Sequence, residues 1–162
     1  MKKISKILIL GGPGSGKTTL ANKLKKLFKL PIINLDNINY KKDWVSRDKK
    51  ERDNIIQRKI NEDEWIMEGV YKSTLKQRAD VADLIIFLEH PTYYLIFRII
   101  KRYICNFGKE KKELDGCKER LSWNFIKYTL LFNSKKKSIY KILNKVENID
   151  NKLIIFKNGR IY

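Results

Sequence analysis

Thiol and imidazole groups are scarce in this chain: its 162 residues hold two cysteines, Cys105 and Cys117, and a single histidine, His90. Neither a disulfide framework nor a four-ligand zinc site of the usual thiolate and imidazole kind can be assembled from so few, and both thiols are expected to be reduced. Long apolar runs are lacking too. The stretch Tyr93 to Ile100 is interrupted by Arg98 and falls well short of the roughly 20 residues a membrane span needs. The Met-Lys-Lys start leads into a brief apolar run with no small-residue cleavage site behind it, so a cytoplasmic protein with no membrane partner is expected. Arginine is also thin, with eight among 36 basic residues. The formal charge of +18 raises the question of a polyanionic partner such as nucleic acid. Lysine, isoleucine and asparagine are abundant throughout, however, as A/T-rich codons would give, so much of that charge reads as solvated surface.

What the chain does contain is Gly11-Gly12-Pro13-Gly14-Ser15-Gly16-Lys17-Thr18, the pattern G-x-x-x-x-G-K-T. It follows the apolar run Ile7-Leu8-Ile9-Leu10 and precedes the helix-forming Leu20-Ala21-Asn22-Lys23-Leu24. Strand before and helix after is the context a phosphate-binding P-loop requires. The glycines let backbone N–H groups turn inward, and the positive end of the helix adds to them, so a polyphosphate is cradled. The expected nucleotide-binding set is Gly12, Pro13, Gly14, Ser15, Gly16, Lys17, Thr18 and Thr19, with Lys17 reaching the β- and γ-phosphates and Thr18 ligating Mg²⁺. The absence of an N-K-x-D motif favours ATP over GTP.

No internal repeat or low-complexity linker interrupts the chain, and its length suits one domain over residues 1–162. Short apolar runs predict five buried strands at Ile4–Leu10, Ile32–Leu35, Trp65–Glu68, Leu84–Leu88 and Leu153–Phe156. Helical stretches fall at 17–29, 51–62, 73–80, 91–105, 118–132 and 136–147. Strands alternating with helices imply a parallel sheet covered on both faces, with ligands at the carboxyl ends of the strands. That rule gathers Asp36, Glu68 and Glu89 along the edge that holds the P-loop. The segment Asn37 to Lys50, with Tyr40 and Trp44, lacks a regular period and reads as a flap within an acceptor-binding region of 36–64. Asn106 to Gly116, inside a span of 105–118, reads as a lid.

Beyond the P-loop, the chain carries Leu35-Asp36-x-x-x-Tyr40-x-x-x-Trp44. It then carries Trp65-Ile66-Met67-Glu68-Gly69-x-Tyr71-x-x-Thr74-Leu75-x-x-Arg78-x-x-x-Ala82-Asp83, Phe87-Leu88 with Pro91 and Arg98, and Gly116-Cys117-x-Glu119-Arg120-Leu121. This set resembles the DNA topology modulation (FlaR-related) proteins, which are adenylate-kinase-like P-loop proteins. The resemblance implies a three-layer α/β P-loop NTPase fold of nucleoside-monophosphate-kinase type, with a five-stranded parallel sheet in the order 2-3-1-4-5, an acceptor-binding region and a lid. It also implies that Glu68 holds Mg²⁺ through water and that Arg78 contacts phosphate. Glu68-Gly69-Val70-Tyr71 stands where the family usually has Asp-Gly-Asn-Tyr, which keeps the carboxylate.

Asp36 has two readings. A carboxylate there accepts or orients the proton of an acceptor hydroxyl; with a nucleoside monophosphate as acceptor it contacts base, sugar or metal-bound water instead. Arginine's planar fork pairs bidentately with phosphate, which gives each of the few arginines weight. Arg98 and Arg102 lie one helical turn apart and share a face, suited to charge on a transferring phosphoryl group, and Arg120 would close from the far side of the lid. Tyr93, Tyr94, Phe97, Tyr103, Trp123, Phe125, Tyr128 and Phe132 read as core at helical spacing. Trp44 is the better candidate for an acceptor ring, and His90 ends the fourth strand. The expected activity is transfer of the ATP γ-phosphoryl group to a small acceptor, with Lys17, Asp36, Arg78, Arg98 and Arg102 at the chemistry. A nucleotide-regulated nucleic-acid-binding protein and a simple ATPase are the alternatives.

Overall fold

A computed structural model describes residues 3–108, 117, 121–157 and 160–161. The first strand, β1 (Lys6–Gly11), lies inside the sheet, and its residues Ile7, Leu8, Ile9 and Leu10 are fully buried. A continuous apolar run of this kind marks a strand covered on both faces. Side chains alternate across the pleat. Leu8 and Leu10 therefore join one core with Met67, Phe87, Ile56, Leu75 and Ile139, while Ile7 and Ile9 join the opposite one with Ala21, Leu30, Ile66 and Ile86.

The other strands are β2 (Ile32–Asn34), β3 (Trp65–Glu68), β4 (Leu84–Glu89), β5 (Leu153–Lys157) and β6 (Arg160–Ile161), and the sheet order is β2-β3-β1-β4-β5-β6. The first five pair in parallel, in the expected order. The expectation of a purely parallel five-stranded sheet is corrected by β6, which pairs antiparallel with β5 through Phe156↔Ile161 and Lys157↔Arg160. An antiparallel neighbour needs only a tight turn, whereas each parallel step needs a crossover. The periodicity of two residues is too short to announce itself.

The helices are α1 (Lys17–Phe28), α2 (Leu35–Asn39), α3 (Lys49–Ile60), α4 (Lys72–Val81), α5 (Thr92–Cys105), α6 (Trp123–Leu130) and α7 (Phe132–Leu143). Three boundaries depart from expectation for local reasons. Leu35 leaves the expected strand, which ends one residue early at Asn34, because the Asn34 side chain accepts from the N–H groups of Asp36 and Asn37 and so starts α2. The Asp48 carboxylate caps α3 at Lys50 and Glu51. The segment Asn37 to Lys50, expected to be irregular, holds the end of α2, a 3-10 turn at Lys42–Trp44, a bridge between Tyr40 and Ser46, and the start of α3. The expected helix at 118–132 is described only from residue 121 onward, and most of the expected lid, 109–116, lies outside the described residues, as does Arg120. Among the described residues no helix is long and apolar enough to cross a membrane.

Candidate functional site

The P-loop forms as the sequence requires. Gly14 and Gly16 have φ of 71° and 96°, a region that L side chains rarely enter. A Cβ on Gly14 would stand 3.1 Å from the Leu95 carbonyl oxygen and from Ile99 Cγ1, so α5 presses directly on the loop. Gly16 caps α1 without any side-chain hydrogen bond, leaving the first amides of the helix for a phosphate. Lys17 Nζ donates to the Gly12 carbonyl at 2.9 Å and so lies across the loop.

Strand register sets the next group. Ile9, Glu68 and Asn34 are aligned neighbours on β1, β3 and β2, so the ends of two strands meet the P-loop at one height. Thr18 Oγ1 donates to Glu68 Oε2 at 3.1 Å, and Asn34 Nδ2 donates to Glu68 Oε1 at 2.7 Å. Glu68 is 3% exposed. A buried carboxylate beside the P-loop hydroxyl is a donor set that suits Mg²⁺ accompanying a polyphosphate; Thr18 and Glu68 are the residues that would hold it.

These groups line one cleft of about 1,380 Å³, together with Asp36, Asn39, Tyr40, Trp44, Arg52, Tyr71, Lys72, Tyr94, Phe97, Arg98, Lys101, Arg102, Phe125, Tyr128 and Lys135. Its basic residues Lys17, Arg52, Lys72, Arg98, Lys101, Arg102 and Lys135 outnumber its acids, Asp36 and Glu68. Such a cleft concentrates anions. Arg98 reaches the P-loop: a Cβ on Gly16 would stand 3.4 Å from both of its terminal nitrogens. Arg102, one turn along α5, lines the same cleft.

Across from the P-loop, the Tyr71 hydroxyl donates to Asp36 Oδ1 at 2.8 Å. Burial and then the Asp36 charge push the Tyr71 phenol up beyond its ordinary range, so it remains a donor. The Arg52 guanidinium lies 4.9 Å above the Tyr71 ring and is anchored by Asp53 Oδ1, Asn39 Oδ1 and Ser73 Oγ. Tyr128 on α6 closes the far wall; burial, with Asp36 and Tyr40 nearby, raises its phenol too. Trp44 stands edge-on to Tyr40, with ring centroids 5.3 Å apart.

Arg78 requires a correction. It is fully buried and does not line the cleft. Its guanidinium donates to the carbonyls of Gly69, Val70 and Tyr71, each at 2.9 Å, and to Thr74 Oγ1 at 3.2 Å. Burial pulls its pKa down to about 9, with Asp53 acting in the opposite sense, so it stays charged at neutral pH. Arg78 is a staple for the β3–α4 turn, and through that turn it places Tyr71. The aromatic residues read as core divide differently as well: Phe132 is buried, whereas Tyr93, Phe97 and Trp123 are exposed and Tyr94, Phe97, Phe125 and Tyr128 line the cleft. Sequence reasoning missed Asn34, Arg52 and Tyr71. Tyr71 sat in a quoted motif, but nothing in the spacing paired it with Asp36.

In fold the chain is similar to two solved small-molecule kinases. A shikimate kinase from Acinetobacter baumannii in complex with shikimate superimposes with a TM-score of 0.58 at 13% identity, covering 86% of this chain and 80% of that one. A gluconokinase from Sinorhizobium meliloti 1021 gives 0.53 at 14% identity over 99% of this chain and 86% of the other. No protein-family model matches the chain, and no curated protein matches its sequence.

Proposed function

We propose that this protein transfers the γ-phosphoryl group of ATP to a small acceptor bearing a hydroxyl group. The observation that carries the reading is the meeting, in one basic cleft, of the P-loop with its Thr18–Glu68 pair and of Asp36 held by Tyr71. Lys17 and the amides of the loop bind the phosphate tail, and Arg98 and Arg102 face it from α5. Bound Mg²⁺ would supply charge neutralisation on the phosphates, held by Thr18 and, through water, by Glu68. With Oδ1 engaged by Tyr71, Asp36 offers Oδ2 to take the acceptor's proton as its oxygen attacks the γ-phosphorus and ADP leaves. Catalysis is then positioning and charge stabilisation.

Arg78 is withdrawn into the core, and Arg52, the arginine on the Asp36 side of the cleft, is already paired with Asp53 at 2.8 Å, which favours a hydroxyl acceptor over a phosphate-bearing one. Trp44, Tyr40 and Tyr128 offer walls suited to a ring. The strand order and the fold likeness to a shikimate kinase and a gluconokinase support the phosphotransferase reading. The test is ADP formation from Mg-ATP over a panel of nucleosides, nucleoside monophosphates and small hydroxylated metabolites. Acceptor-dependent ADP release that collapses in Asp36→Asn is expected; release with water alone would mark an ATPase and refute the transfer reading.

A further inference from the structure

The two halves of the site are joined by one side chain that neither half needs for its own chemistry. Asn34 ends β2 in register with Glu68, and its amide is used at both ends. Nδ2 donates to Glu68 Oε1 at 2.7 Å, while Oδ1 accepts from the N–H of Asp36 at 2.8 Å and of Asn37 at 3.4 Å. Glu68 in turn accepts from the Thr18 hydroxyl at 3.1 Å. A continuous path thus runs from P-loop hydroxyl to carboxylate, to amide, to the first turn of the helix that carries Asp36. The chemistry of the amide fits this place. A carboxylate at position 34 would cap the helix but repel Glu68, and a shorter hydroxyl would cap it without spanning to Glu68 as well.

We propose that Asn34 is a positioning residue that fixes Glu68 and Asp36 relative to each other, so that the metal side and the acceptor side of the cleft are aligned by a single planar group. The inference rests on the phosphotransferase reading for its kinetic consequence, though not for its structural one. With its donor removed, Glu68 loses the bond that holds Oε1, and the Mg²⁺ requirement rises. With its acceptor removed, the first turn of α2 loses its cap, and Asp36 drifts from Tyr71.

Two variants separate these roles. Asn34→Ser retains a capping oxygen and drops the donor to Glu68; Asn34→Ala drops both. In the nucleotide-free protein, amide hydrogen exchange at Asp36 and Asn37 is expected to stay within about twofold of the parent in Asn34→Ser and to accelerate roughly tenfold in Asn34→Ala, as loss of a cap implies. ATP affinity measured across a Mg²⁺ titration is expected to need several-fold more Mg²⁺ in both variants, while only Asn34→Ala raises the acceptor KM. Parent-like exchange in Asn34→Ala, or parent-like Mg²⁺ dependence in Asn34→Ser, would overturn the proposal. Should Asn34→Ala fail to fold, the Mg²⁺ dependence of Asn34→Ser still decides. Failure to find any phosphorylated acceptor would sink the kinase reading instead, and leaves the exchange and ATP–Mg²⁺ measurements to judge Asn34.

Discussion

The Tyr71 hydroxyl holds Asp36 at 2.8 Å, and the backbone of Tyr71 is itself held by Arg78, whose guanidinium takes its carbonyl at 2.9 Å. The Asp36 carboxylate is thus oriented by a phenol that a buried arginine anchors. Tyr71→Phe removes only the hydroxyl. A hydrogen bond to a charged group contributes about 1.5–3 kcal/mol, so kcat/KM for the acceptor should fall about 10- to 100-fold with the KM for ATP unchanged. Asp36→Asn should cost about 10²–10⁴ in turnover if the carboxylate takes the proton. Steady-state kinetics on the two variants checks both.

Arg78→Lys should destabilise the fold instead of only slowing turnover. A lysine ammonium cannot span three carbonyls and a hydroxyl, and each buried acceptor left unsatisfied costs about 1–3 kcal/mol. A loss of about 3 kcal/mol or more by denaturant unfolding is expected. Parent stability would refute the staple.

Lys17→Ala should abolish phosphoryl transfer and weaken ATP far more than adenosine, because the lysine acts on the phosphate tail. Calorimetric titration of both ligands gives the comparison; equal weakening of the two would count against the phosphate role.

Glu68→Gln should raise the Mg²⁺ concentration for half-maximal turnover while leaving the acceptor KM nearly intact. A changed acceptor KM with an unchanged Mg²⁺ requirement would reverse the assignments of Glu68 and Asp36.

His90, the only histidine in the chain, senses the charge of the cleft residue Arg98. Burial, and then the Arg98 charge, hold its pKa below the usual 6.5. The unfolded chain therefore binds this proton more readily, so the His90 contribution to stability is present above about pH 6.5 and is lost as pH falls through the lower folded value. In an NMR titration, Arg98→Gln should move the His90 pKa upward, and ATP bound beside Arg98 should do the same. A His90 that moves in Arg98→Gln but not on ATP binding would place the phosphates away from Arg98.

The P-loop, the five parallel strands and the sheet edge that carries Asp36, Glu68 and the P-loop were determined by local sequence. The apolar run through Leu10, the glycines at 14 and 16 and the Lys17-Thr18 pair each specify a backbone state or a charge by residue type alone, and alternation of strands with helices leaves few ways to build the sheet. Arg78 and Asn34 show what spacing does not carry. An arginine on a helix reads the same whether its fork faces phosphate or three carbonyls, since only the seating of α4 against the β3–α4 turn sets its direction. Likewise, the Asn34 amide gains meaning only where the register of β2 on β3 brings Glu68 to it. Hydrogen-bond pairs more than thirty residues apart, such as Tyr71 with Asp36, are fixed by which strand ends become neighbours, and that was decided by the tertiary structure.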